Sequence, residues 1–151
     1  MVKNSLNKQY VARRKGKLSP LQIAKSEATR LHVLNTTIKC LAERPASAVS
    51  IALISKYANV SRGGMQYHFT TRMALLSATV GHLHQRRRQQ LRDDLHSITP
   101  GKDVIGHIID TYWKHLNERD FLAYQELVLA GRSDPALARL LAPKYRAFLH
   151  E

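Results

Sequence analysis

Residues 55–76, SKYANVSRGGMQYHFTTRMALL, restrict the possible folds more than any other stretch of this 151-residue chain. They read as the end of one short helix, a tight turn, a second short helix and the start of a third. Ile51, Ile54 and Ala58 lead into the turn at the spacing of one core-facing helix side. Asn59-Val60 suits the turn, because a short polar side chain tolerates a left-handed backbone. Ser61 stands where its hydroxyl caps the next helix by accepting from a backbone N–H one turn on. This is helix-turn-helix grammar, and a second helix of about eight residues is short enough to lie in a DNA major groove. Gly63 and Gly64 each weaken that helix by ~1 kcal/mol relative to Ala. A helix with only a structural role gains nothing from such a pair, so the glycines point to close backbone approach by a partner.

Helical spacing continues along the whole chain. A first helix is expected over about 26–43, with Leu31, Leu34, Ile38 and Leu41 on one stripe and Cys40 beside them as a buried thiol. Ser50 is placed to cap a helix over about 51–58. A long helix over about 71–95 carries Leu76, Val80 and Leu83 on one face. Thr99-Pro100 reads as a cap followed by a first-turn proline, opening a helix over about 100–117. Its Val104, Ile105, Ile108, Ile109, Tyr112, Trp113 and Leu116 define a broad apolar face expected to pack against other helices. A further helix is expected over about 119–131. Ser133-Asp134-Pro135 opens the last, with Leu137, Leu140, Leu141, Tyr145 and Phe148. No β-alternation or internal repeat is visible, and the fold class is all-α.

Charge is segregated along the sequence. Residues 1–95 hold 17 Lys or Arg against 4 Asp or Glu, whereas residues 96–151 hold 7 of each. The whole excess of +13 lies with the helix-turn-helix, an arrangement that phosphate attraction explains and surface solubility does not require. Residues 1–24 read as a basic arm, with Ser19-Pro20 interrupting helix; such an arm either tracks DNA or adds only diffuse attraction. Arg86-Arg87-Arg88 is either a solvated face or a further contribution to that attraction. A lone cysteine excludes a disulfide within the chain. The N-terminus lacks the apolar stretch of a signal peptide, and no run nears the ~18–20 apolar residues that cross a membrane. A cytoplasmic setting without a membrane partner is expected.

On these residues the chain resembles the TetR/AcrR family of transcriptional regulators. The resemblance rests on Arg30-Leu31-His32-Val33-Leu34, on Val60-Ser61-Arg62-Gly63-Gly64-Met65-Gln66-Tyr67-His68-Phe69, and on Thr71, Arg72, Ala74, Leu75 and Leu76. It is strong over about 27–87. Asn59 replaces a usual Gly, Gln66 replaces a usual Tyr, and the Glu43–Ala46 loop lacks the usual Gly. The resemblance implies a basic arm over 1–26, a three-helix DNA-binding bundle over 27–87 with its helix-turn-helix at about 50–69, and a helical regulatory region over 88–151. That last region is shorter than is usual for the family, whose members continue with two more long helices that pair between subunits.

It further implies a homodimer on a near-palindromic double-stranded operator, acting as a repressor that a small effector releases. Arg62 is the expected base contact, since its guanidinium can hold guanine O6 and N7 together. Gly63 and Gly64 would permit close approach. Gln66 would meet a phosphate or an adenine edge, Tyr67, His68 and Arg72 phosphates, and Ser50 and Ser61 would sit at helix starts facing the backbone. Met65 and Phe69 belong to the core. Tyr112, Trp113, Phe121 and Tyr124 either line a cavity for a small apolar effector or are ordinary core.

Other chemistries lack support. His82 and His84 face different directions on a helix, and His107 and His115 lack a third ligand, so neither a metal nor a cofactor is expected. No phosphate loop, nucleophile elbow or paired catalytic carboxylates appear, which argues against an enzyme. Two alternatives to a ligand-responsive regulator remain, a nonspecific nucleic-acid binder driven by the basic arm and a truncated regulator fragment without ligand response.

Overall fold

The computed structural model describes residues 19–98 and 103–149. Among them lie seven α-helices, one 3-10 turn and no strand. The helices are α1 (Pro20–Glu43), α2 (Ile51–Tyr57), α3 (Arg62–His68), α4 (Arg72–His96), α5 (Val104–His115), α6 (Arg119–Ala130) and α7 (Pro135–Leu149), and the turn is Ala46–Ala48. No helix among the described residues is long and apolar enough to cross a membrane.

Two compact units are distinguished, Met1–Arg30 and Leu31–Glu151, and the division falls inside α1. In the first unit, residues 1–18 of the expected basic arm lie outside the described residues. Ser19-Pro20, expected to interrupt helix, opens one instead. Ser19 Oγ accepts from the Gln22 amide at 3.2 Å while Gln22 Oε1 accepts from the Ser19 amide at 2.9 Å. That reciprocal capping box, with proline in the first turn where its missing N–H is harmless, starts α1 at Pro20 rather than near residue 26.

In the second unit, α1 and α4 supply matching faces. α1 buries Val33, Leu34, Thr37, Ile38, Cys40 and Leu41, and α4 buries Leu75, Leu76, Thr79, Val80, Leu83 and His84. Leu31, expected on the α1 stripe, is largely exposed, because the buried face is centred on the Val33-Leu34 side. The buried hydroxyls of Thr37 and Thr79 donate to the carbonyls of Val33 and Leu75 at 2.8 and 2.9 Å, so each helix satisfies its own polar group. Burial pushes the Cys40 thiol above its ordinary range, which keeps it protonated and inert.

Ile54, Met65 and Phe69 close this core from α2 and α3. Ala123, Leu127 and Leu137 extend it toward α6 and α7. Tyr145 and Phe148 fall outside the described side chains. At the start of α7, Asp134 is the cap: its Oδ1 accepts from the amides of Ala136 and Leu137 at 3.0 and 3.1 Å.

The helix expected over 100–117 departs from its reading in two ways. Thr99-Pro100 lies outside the described residues, and α5 begins at Val104 with Asp103 as its cap, Oδ1 accepting from the Gly106 amide at 3.0 Å. Its apolar face is not packed. Ile105, Ile109 and Trp113 are 72%, 59% and 70% exposed, and Val104, Ile108 and Tyr112 are exposed as well. The polar row is the one that turns inward, with His107 and Thr111 half-buried and His115 buried. α5 meets α4 through polar side chains: His107 contacts Ser97 at 3.3 Å and His115 contacts Arg87 at 2.9 Å.

Candidate nucleic-acid interface

The turn between α2 and α3 has the expected backbone. Asn59 takes φ 50°, the left-handed region that a short polar residue tolerates best. Ser55 fixes the turn from inside: its hydroxyl donates to the Val60 carbonyl at 2.6 Å, and its carbonyl accepts from the Val60 amide at 3.0 Å. His32 Nε2 reaches the Ala58 carbonyl at 3.0 Å, which ties α1 to the end of α2. Three hydroxyls start the three helices. Ser50 Oγ accepts from the Leu53 amide at 3.1 Å, Ser61 Oγ from the Gly64 amide at 3.1 Å, and Thr71 Oγ1 from the Ala74 amide at 3.0 Å.

α3 divides cleanly between anchor and outward face. Met65 is fully buried, and Phe69, just past the helix end, is 3% exposed. Arg62, Gly63, Gln66 and Tyr67 are exposed together. At 100° per residue they span one arc of the helix, so a groove meeting Arg62 also meets Gln66 and the Gly63 backbone. His68 is half-buried, with its ring edge-on to Tyr67 at 5.0 Å.

The two glycines have different reasons. A Cβ on Gly64 would lie 3.0 Å from a Val60 methyl and 3.3 Å from Ser61 Oγ, so the cap and turn crowd that position. A Cβ on Gly63 would meet nothing within 4 Å. Packing therefore explains Gly64, and only Gly63 keeps its backbone bare toward solvent.

Arg72, expected to reach a phosphate, is also bonded within the chain. Its Nε donates to the Val49 carbonyl at 2.8 Å and its Nη2 to the Ala46 carbonyl at 2.6 Å. The guanidinium is half-buried and clamps the 3-10 turn to the start of α4. The amide of the same Ala46 donates to Glu126 Oε1 of α6 at 2.7 Å. Glu126 escapes a sequence reading because its partner lies 80 positions away. A second missed pair is Arg44 and Tyr57, where Nη1 donates to the phenol oxygen at 3.3 Å and the guanidinium sits 5.0 Å over the ring.

The Arg86-Arg87-Arg88 cluster is tied into the helices. Arg86 Nε pairs with Asp120 Oδ2 at 2.7 Å, and its Nη1 donates to Asn35 Oδ1 at 3.1 Å. Arg87 lines a cavity of about 350 Å³ between α4, α5 and α6. Of the expected effector contacts, Tyr112, Phe121 and Tyr124 line this cavity and Trp113 does not. One residue beyond Tyr112, Trp113 is turned about 100° round the helix and faces solvent. Among the described residues no group of three or more His, Cys, Asp or Glu is arranged to hold a metal.

Residues 33–79 match the model of bacterial regulatory proteins of the tetR family. The HTH-type transcriptional regulator CymR of Pseudomonas putida is 29% identical over 116 residues, covering 77% of this chain and 57% of CymR. Among solved structures, Salmonella enterica GusR superposes with a TM-score of 0.65 at 21% identity, covering 88% of this chain and 65% of GusR. A TetR-family member from Streptomyces coelicolor A3 superposes with a TM-score of 0.63 at 21% identity, over 80% of this chain and 73% of its own. The two structural likenesses bear on the fold alone. The chain spans less than two thirds of the length of CymR and of GusR.

Proposed function

We propose that this chain, whose residues 33–79 match the model of bacterial regulatory proteins of the tetR family, is a sequence-specific DNA-binding transcriptional regulator that represses until a small effector releases it. The observation that carries the reading is the split of α3 into a buried anchor and an exposed arc of Arg62, Gly63, Gln66 and Tyr67. Arg62 reads guanine through a two-pronged hydrogen bond worth ~1–3 kcal/mol of discrimination. The Gly63 backbone lets α3 sit deep in the groove, Gln66 reaches an adenine edge or a phosphate, and Tyr67 and His68 reach phosphates. Ser50 and Ser61 hold helix N-termini toward the DNA backbone, where the N–H groups favour an anion. The net charge of +13 adds long-range attraction that is independent of sequence.

Two copies related by a two-fold axis would place α3 in successive major grooves, with half-sites about 34 Å apart. The α4–α6 cavity holds the effector. α6 also carries Glu126, bonded to Ala46, whose carbonyl takes Arg72. A shift of α6 on ligand binding thus reaches the segment that orients α2 and the start of α4.

Gel shifts on DNA from around the native locus test the reading with Arg62→Ala. This variant loses preference between operator and scrambled DNA while keeping most nonspecific affinity. Unchanged discrimination by Arg62→Ala would refute the assigned recognition arc. Discrimination absent already in the natural chain would favour a nonspecific nucleic-acid binder instead.

A further inference from the structure

Resting on the DNA reading for its two-fold arrangement, we propose that the exposed apolar face of α5 is a docking surface for a second copy of this chain, with the two α5 helices crossing antiparallel at Ile109. Ile105, Ile109 and Trp113 are each more than half exposed and stand four residues apart, so they form one row along the helix. Val104, Ile108 and Tyr112 form a second exposed row beside it. On α4 the exposed Leu91 shares a cavity wall with Tyr112, and Leu95 lies one turn further along the same α4 face.

The chain does not cover this face by rolling α5, because the opposite side of the helix is held by polar bonds. His107 Nε2 meets Ser97 Oγ at 3.3 Å, and the buried His115 meets Arg87 Nη1 at 2.9 Å through Nδ1. Turning the apolar rows inward would break both bonds at once. With aromatic side chains of roughly 150–250 Å² each, the exposed patch is on the order of 600 Å². That is the upper end of the ~300–600 Å² found for the largest patch of a typical monomer.

Area, spacing and charge all fit a second copy. Two such patches face to face bury about 1,200 Å² in total, the lower end of the range for specific interfaces. A two-fold contact must complement itself, residue i meeting j while j meets i. The row at 105, 109 and 113 does so. With the axis at Ile109, that side chain meets its own counterpart, and Ile105 meets Trp113 of the partner subunit, a slim chain against a broad ring. α5 also lies in the stretch 96–151, where 7 Lys or Arg balance 7 Asp or Glu, and its exposed Asp110 and Lys114 are of opposite sign. Contact there does not press together the excess of +13 that residues 1–95 carry in each copy.

Sedimentation velocity of the whole chain across micromolar concentrations, without DNA, reads the association directly. The natural chain should form a reversible dimer. Ile109→Glu sets like charges face to face on the axis and should weaken dimerisation by at least ~100-fold. Ile109 is exposed in the single chain, so thermal unfolding of the dilute variant should match that of the natural chain, which separates lost docking from lost folding. Ile109→Lys should be monomeric for the same reason. An equal mixture of the two variants should associate more tightly than either alone.

A natural chain that stays monomeric throughout overturns the proposal. So does a dimer that Ile109→Glu leaves intact, which would put the contact elsewhere, and so does a mixture no tighter than its components, which would take Ile109 off the axis. A monomer that binds phosphatidylcholine vesicles through Trp113 would assign the face to lipid and overturn it as well. The DNA reading is judged apart. A natural chain that dimerises through Ile109 yet does not distinguish operator from scrambled DNA keeps the interface and loses the DNA reading. A monomer that does distinguish them keeps the DNA reading and loses the interface.

Discussion

The helix-turn-helix region and α5 use the same apolar residue types at the same helical spacing and reach opposite outcomes. In α1 and α4 the pairs Val33-Leu34, Thr37-Ile38, Leu75-Leu76 and Thr79-Val80 recur every four positions and are all buried. In α5 the pairs Val104-Ile105, Ile108-Ile109 and Tyr112-Trp113 recur at the same interval and are all exposed. Periodicity therefore reports that a helix has an apolar face, and says nothing of whether this chain covers it. The larger test of that contrast is stability. Met65→Ala should cost about 2–5 kcal/mol in urea unfolding, since it empties a fully buried site. In dilute, monomeric protein Trp113→Ala should cost under ~0.5 kcal/mol, the usual range for an exposed side chain. A loss at Trp113 comparable to that at Met65 would then mean that the chain itself covers the α5 face, and the contrast would fail.

Arg72 stands where the recognition unit meets the rest of the second unit, and it sharpens the comparison from the polar side. A cation at the start of α4 looks, in sequence, like a phosphate contact, and the clamp on Ala46 and Val49 gives it an internal role. Arg72→Met removes both donors from two carbonyls. It should lower stability by roughly 1–3 kcal/mol, the cost of leaving buried acceptors unsatisfied. DNA affinity should then fall in parallel with the loss of folded protein. Full stability with a salt slope shallower by ~0.9 would instead support the phosphate role.

Most of the recognition unit was legible because its determinants are local. The left-handed residue at Asn59, the caps at Ser50, Ser61 and Thr71, and the burial of Met65 all follow from neighbours within four positions. What escaped the sequence was settled by distant partners. Glu126 finds Ala46, Arg86 finds Asp120 and Arg87 finds His115, and no spacing rule announces such meetings. Ser19-Pro20 was misread for another reason: the same dipeptide that stops a helix from one side opens it from the other, and Gln22 decides which. Trp113, expected either to line a cavity or to belong to the core, does neither, because adjacent residues on a helix face different directions and its side faces solvent.

The smallest expected effect separates two adjacent glycines that sequence alone treats alike. Gly63→Ala places a methyl in open space and removes the intrinsic weakness of glycine in a helix, so the free protein should gain up to ~1 kcal/mol. Gly64→Ala gains the same helix propensity but drives its methyl to 3.0 Å from Val60, in the crowded wall of the turn. Either Val60 gives way or the Ser61 cap opens, and the net change should be a loss. Operator affinity should move against stability at Gly63, because the same methyl now stands between α3 and the floor of the groove. A Gly63→Ala protein that is more stable and binds its operator as well as the natural chain would show that α3 does not sit that deep. A side-chain-only mode of reading through Arg62 and Gln66 would then replace close backbone approach.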